Sequence, residues 1–324
     1  MGRALDFETL VERHRREIQV HCYRMLGSFA DAEDLAQETF LRAWKARDRF
    51  EGRAGVRTWL YRIATNACLD VLARRPRRVL PDQLGPAGEP DGPICAADLP
   101  WLEPFPDRLL DEAGPDALAV ERETIELAYL AALQHLPPRQ RAALILRDVL
   151  GWSAKETADL LETSVASANS ALQRARATLR ARLPAHRTEW TAGAPTAEET
   201  ALLKRFIAAY ENGDPRAVAR LLHEDARAIM PPYELWFASA AAIVRALSMS
   251  LDPASPQCVG RFRMRPTRAN RRPAVATWLR RPGEAEYRWF GVSLLTIEHG
   301  LITELAAFES VPAAAWGLPE ILRE

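Results

Sequence analysis

The chain has 324 residues, enough for two or three domains, and its hydrophobic content of 48% and charged content of 27% are those of an ordinary folded protein. No run approaches the ~18 apolar residues of a membrane helix, and the opening MGRALDFETLVERHRREI lacks the apolar centre of a secretory signal, so a cytoplasmic protein is expected. The net charge of zero hides three blocks: residues 1–80 hold 16 basic and 11 acidic groups, 81–127 hold 2 and 12, and 128–190 hold 9 and 5. Two basic modules flank an acidic connector, a pattern that suits a polyanionic partner or, more plainly, solvated helix faces joined by an acidic linker.

Residues 5–78 read as a helical domain. Phe7, Leu10, Val11, His14, Ile18 and Cys22 recur at helical spacing, and Gly27 breaks the run. Asp31 reads as an N-cap followed by the apolar stripe Leu35, Phe40, Leu41 and Trp44. After the polar DRFEGRAG, a third helix, VRTWLYRIATNACLDVLARR, ends in Arg74, Arg75, Arg77 and Arg78. His21 beside Cys22 is answered by no second ligand pair, and Cys22, Cys68, Cys95 and Cys258 read as isolated structural thiols, so no metal and no cofactor is expected.

Residues 79–116 form the acidic linker. Its Pro, Gly and Asp content argues against regular structure, yet WLEPFPDRLLDE carries large apolar residues suited to docking on a neighbouring domain. Residues 117–183 are helical again. Pro137 and Pro138 open a helix that Gly151 ends, and Ser153 with Glu156 has capping-box spacing for the next. A short turn leads into VASANSALQRARATLRARL, giving a helix-turn-helix outline that a generic helical hairpin shares.

A second linker, 184–196, precedes a domain of different character at 197–324. Two helices, EETALLKRFIAAYENGD and DPRAVARLLHEDA, are followed by strand-like ARAIMP, GRFRMRPTRA, AVATWLRR, YRWFGVSLLTIE and LITELAAFES. Helices first and a curved antiparallel sheet afterwards make an α+β domain. Arg261, Arg263 and Arg265 alternate on one strand face and, with Arg268, Arg271 and Arg272, form a basic patch, either a solvated face or a contact for the acidic 81–127 connector.

The stretch DAEDLAQETFLRAWKARDRF with RTWLYRIATNACLDVLARR resembles region 2 of the extracytoplasmic-function sigma factors. LPPRQRAALILRDVLGWSAKETADLLETSVASANSALQRARATLR resembles their region 4. The two motifs cover roughly the first 183 residues in the right order, and the tail, with MPPYELWF and RPTRAN, resembles the SnoaL-like domains. The resemblance implies a multidomain chain: two all-α sigma domains, then an α+β cone-shaped barrel.

It also implies partners. Asp31, Asp34, Gln37 and Glu38 would dock on the β′ clamp helices of RNA polymerase core, and region 4 on the β flap. Acidic groups in a first turn also suit the helix N-terminus, so capping is the plainer role for Asp31. The third helix would read the minus-ten element, with Arg57, Arg62, Arg74 and Arg75 on phosphates, Asn66 on a base edge, and Trp59 and Tyr61 stacking, at least one of that pair belonging to the core. In the helix-turn-helix, Ser167, Asn169, Ser170 and Gln173 are the base-reading candidates at the minus-thirty-five element, and Arg174 and Arg176 the phosphate holders. Relatives carry basic residues where this chain has Asn169 and Ala171, so promoter sequence does not transfer.

The expected function is therefore a non-enzymatic sigma factor regulated in cis by its tail. One alternative is a helix-turn-helix regulator that is no polymerase subunit. Another is a tail that binds a ligand or carries out chemistry. His223, Tyr233, Trp236 and His299 are its candidate pocket residues, with Asp225 and Glu304 nearby in sequence and Asp225–His299 a conceivable acid/base pair.

Overall fold

Three amphipathic helices account for the N-terminal domain: α1 (Phe7–Leu26), α2 (Phe29–Ala46) and α3 (Val56–Leu72). The computed structural model describes residues 7–50, 55–92, 95–111, 125–183, 196–309 and 311–323. The start of the second basic module, 117–124, and the second linker, apart from Thr196, lie outside the described residues. The chain divides into two compact units, residues 1–78 with 109–187 and residues 79–108 with 188–324.

In the first unit, Ser28 rather than Asp31 caps α2: its hydroxyl accepts from the Asp31 amide at 3.1 Å, which places Asp31 in the first turn. Leu10, Ile18, Cys22 and Phe40 are buried as their spacing predicts. Leu41 and Trp44 instead point outward, 55% and 47% exposed. His21 is a core residue. Its Nε2 lies 2.9 Å from Thr65 Oγ1, and complete burial lowers its pKa to about 3. Cys22 and Cys68 are buried side by side in hydrogen-bond contact.

Four further helices follow in the same unit: α4 (Leu127–Leu133), α5 (Pro138–Leu144), α6 (Ala154–Leu160) and α7 (Val165–Arg182). A π-helical turn, Ile145–Val149, prolongs α5 before Gly151 (φ +69°) ends it. The Ser153–Glu156 capping box is formed in both directions, at 3.1 and 2.8 Å. A buried arginine joins the two halves of the unit. Arg141 on α5 donates to the Met25 carbonyl in the last turn of α1, and to Gln134 and Leu136 carbonyls beyond α4. A guanidinium among carbonyls at helix C-termini satisfies groups that the helices leave unpaired.

The second unit is built on a sheet. Its helices are α8 (Ala197–Glu211), α9 (Pro215–Ala219) and α10 (Ala240–Leu251). Its strands are β1 (Leu222–Ile229), β2 (Trp236–Phe237), β3 (Arg261–Ala269), β4 (Arg272–Arg280), β5 (Tyr287–Glu298), β6 (Leu301–Phe308) and β7 (Ile321–Leu322). The order is β2-β1-β6-β5-β4-β3, with β7 beside β5. The sheet is antiparallel except at β1–β6, which are parallel, a departure from the expected wholly antiparallel sheet. Residues His223–Ala226 also differ from expectation. They lie in β1 rather than in a helix, between the β6 pairings Leu222↔Ile302 and Arg227↔Glu304, where the register shifts. One sheet face packs on Leu202, Phe206, Val218, Ile243 and Leu247 of the helices.

Residues 79–108 of the acidic linker pack on this second unit. Trp101, Leu102 and Phe105 are buried, as the apolar content of WLEPFPD predicts. Backbone bonds run from Ala97 N to Pro232 O at 2.9 Å and from Gly88 N to Trp236 O at 2.9 Å. Asn270, at φ +51°, accepts from the Phe105 amide through Oδ1 at 2.8 Å and donates its own amide to Phe105 O at 3.0 Å.

Candidate nucleic-acid and polymerase interfaces

On α2, Asp34 and Gln37 are exposed and Glu38 is half-buried. Glu38 accepts from Arg42 one turn later at 2.8 Å. Asp31 is less available. It accepts both from Arg75, at 2.9 Å, and from Arg78. Desolvation works to raise its pKa, but these two arginines outweigh it and hold the carboxyl below its ordinary value. Two candidates assigned to different partners, Asp31 and Arg75, thus neutralise each other. Beside Gln37 lies an apolar groove of about 520 Å³ lined by Phe7, Val11, Phe40, Leu41 and Trp44. Sequence reasoning missed it by assigning Leu41 and Trp44 to the core; their exposure is a property of how α1 and α2 meet.

Arg62 and Asn66 are exposed along α3, and Arg74 is exposed just beyond its end. Arg57 is exposed but bonded to Glu17 at 2.7 Å. Trp59 is half-buried against Phe50, with ring centroids 4.7 Å apart. Tyr61 does not lie on the surface that stacking requires. It is 1% exposed, edge-on to His21 at 4.9 Å and to Trp152 at 6.1 Å, and burial raises its pKa. Of the two aromatics, Tyr61 is the core residue.

The helix-turn-helix is better formed. Ser164 caps α7 by accepting from the Ser167 amide at 3.1 Å. Ala168, Leu172, Ala175 and Leu179 are buried, which turns Ser167, Asn169, Ser170, Gln173 and Arg174 to solvent. Arg176 is the exception. It makes a two-pronged bond to Asp148, at 2.8 and 2.6 Å, and is occupied within its own domain. Asp148 lies 28 residues away, so spacing within α7 gives no hint of it.

The candidate pocket residues of the second unit are put to other uses. Tyr233 donates to Glu309 at 2.8 Å, and Trp236 Nε1 donates to Gly85 O of the linker at 3.0 Å. His223 Nδ1 accepts from the Asp225 amide at 3.2 Å. His299 is an exposed residue at φ +51° in the β5–β6 turn, while Asp225 is exposed on β1. Glu304 sits in a cross-strand row between Arg227 and Thr296, and burial raises its pKa against the pull of Arg272 and Arg227. Linker acids meet this unit's arginines: Asp82 pairs with Arg227, Asp91 with Arg245 at 3.0 Å, and Asp107 with Arg268 at 3.4 Å. Of the arginine patch that the sequence offers as a contact for the connector, Arg268 meets it, while Arg227 and Arg245 lie outside that patch.

Residues 10–78 match sigma-70 region 2, 126–179 match sigma-70 region 4, and 203–305 match the SnoaL-like domain. The ECF RNA polymerase sigma factor SigG of Mycobacterium tuberculosis is 43% identical over 98% of this chain and 85% of its own length. The chain belongs to the ECF RNA polymerase sigma factors. The RNA polymerase sigma-H factor of Pseudomonas aeruginosa is 32% identical over 52% of this chain and 82% of that one. The crystal structure of the M. tuberculosis sigma factor SigJ shares the fold across 97% of this chain and 99% of that one, with a TM-score of 0.56 at 20% identity. As an ECF sigma factor with a SnoaL-like tail, the chain directs transcription initiation at promoters. Among the described residues, no helix is long and apolar enough to cross a membrane.

Proposed function

We propose that this sigma factor engages RNA polymerase core through α2, with Asp34, Gln37 and Glu38 around the Leu41–Trp44 groove. The apolar groove beside polar residues suits an interface whose buried centre is aromatic and aliphatic and whose rim is charged. Arg62 and Asn66 of α3, with Arg74 just beyond it, then serve the minus-ten element, and Trp59 supplies a ring for an unpaired base. Ser167, Asn169, Ser170 and Gln173 read the minus-thirty-five element in the major groove, and Arg174 holds phosphate. The protein works in the cytoplasm and performs no chemistry of its own.

The observation that carries this reading is α7. Its capped start and buried apolar face leave the five polar residues on one solvent-facing surface.

The SnoaL-like domain acts in cis, by holding the connector between regions 2 and 4. Three carboxylate–arginine pairs and the Asn270 clamp on Phe105 support that role. In-vitro transcription with core polymerase tests both parts, comparing the full chain with one ending at residue 196. Absence of promoter-dependent transcript from both forms overturns the sigma reading. Equal activity of the two forms overturns regulation in cis and leaves the sigma reading standing.

A further inference from the structure

The segment spanning β3, β4 and the start of β5, residues 261–288, contains nine arginines, no lysine and two glutamates. β3 is an edge strand of the sheet, laddered with β4 and bridged at its end, through Ala269, to Pro106 of the linker. Phe262 and Met264 point into the core, so Arg261, Arg263 and Arg265 share the opposite face, and all three are exposed. Their two-residue repeat sets them about 6.8 Å apart along the strand.

The neighbours of this row make it more than a solvated face. Arg261 stands directly opposite Arg280 on β4. Like charges in direct register destabilise a sheet, and this pair is brought together by the pairing of the strands. Arg280 and Arg263 both lie over the Tyr287 ring, at 4.7 and 5.4 Å, and Arg265 lies over Trp278 at 5.5 Å. A guanidinium laid on an aromatic face loses rotamer freedom before it binds. Counter-charge is thin. Glu211 approaches Arg263 at 3.6 Å, and Glu286 serves Arg288 and Arg323. Among the described residues, neither Arg261 nor Arg265 meets a carboxylate.

We propose that the Arg261–Arg263–Arg265 row is a sequence-independent binding surface for the phosphates of duplex DNA. A regularly spaced row of planar donors on a strand fits a regularly spaced polyanion, and fusion to two DNA-binding regions raises the local concentration of that partner. The proposal rests on the reading of the chain as a DNA-bound factor. It adds a contact that the SnoaL-like domain makes for itself.

The test is binding of the full chain to a labelled duplex without promoter sequence, across a salt series. R261Q/R263Q/R265Q should bind about tenfold more weakly at low salt, and its log K against log salt should flatten by ~2.7, or ~0.9 per lost phosphate contact. R261Q alone removes no ring contact and should flatten the slope by ~0.9, which decides the matter if the triple variant unfolds. Unchanged slopes overturn the proposal. So does an unchanged DNA slope with lost affinity for a peptide of residues 81–127, which would assign the row to an acidic protein segment. Because this assay contains neither polymerase nor promoter, it reads the patch independently of whether the chain initiates transcription.

Discussion

The recognition helix and the linker-covered part of the sheet domain are both rich in polar and charged side chains, and they use them in opposite ways. On α7, Asn169, Ser170, Gln173 and Arg174 face solvent above a buried Ala/Leu stripe. In the sheet domain, Arg227, Trp236 and Asn270 are each bound to residues of the 79–108 linker. Polar groups left open on a rigid element remain available to a partner, while those closed on the protein's own chain hold architecture. Residue type alone does not separate the two cases. Arg174 and Arg176 sit two residues apart on one helix, and only Arg176 is occupied, by Asp148.

Four experiments break or sharpen this contrast. The largest effect is expected from Arg141→Met. It strands the Met25, Gln134 and Leu136 carbonyls and should cost on the order of 3 kcal/mol in urea unfolding. A loss under about 1 kcal/mol would mean that packing, not this arginine, joins the two halves of the unit. Next is Asn270→Ala, which removes the bond to the Phe105 amide and places alanine at φ +51°, for about 2 kcal/mol. Hydrogen exchange should then speed at Phe105 and its neighbours and leave α7 unaffected.

On the open side of the contrast, Asn169→Ala should leave thermal stability unchanged while relaxing discrimination at one base pair by roughly 1–3 kcal/mol. Arg174→Ala should weaken all duplexes alike. Equal behaviour of these two variants on promoter and scrambled DNA would erase the division between reading and holding. The smallest effect at neutral pH concerns His21, whose pKa is depressed to about 3 by burial. Above its unfolded-state pKa of roughly 6.5 it is neutral in both states and costs nothing. As pH falls from there towards 3, only the unfolded chain takes up the proton, so up to about 1.4 kcal/mol of stability is lost per pH unit. His21→Gln should flatten the melting temperature between pH 6.5 and 4.

Features set by neighbours in sequence were legible. The Ser153–Glu156 box, the Gly151 stop, the alternating Arg261–Arg265 face and the docking of Trp101 and Phe105 all follow from spacing or local composition. Features set by distant partners were not. Tyr61 has the position of a DNA-facing aromatic until Trp152, from the other sigma region, closes over it. His223 to Ala226 have helical company in sequence, yet the β6 pairings on either side, Leu222↔Ile302 and Arg227↔Glu304, hold them as an irregular stretch of a strand. Asp31 fits an N-cap by residue type, and Ser28 takes that role because the helix starts two residues earlier.

The stretch held by the sheet domain is also the chain's only covalent path from region 2 to region 4. Val79–Arg108 is thirty residues of slack wound onto a spool. Paid out fully, it would reach about 100 Å. Under the proposed regulation in cis, the grip of the sheet domain on Asp82, Asp91, Phe105 and Asp107 would set how much of that length is free to separate the two DNA-binding regions.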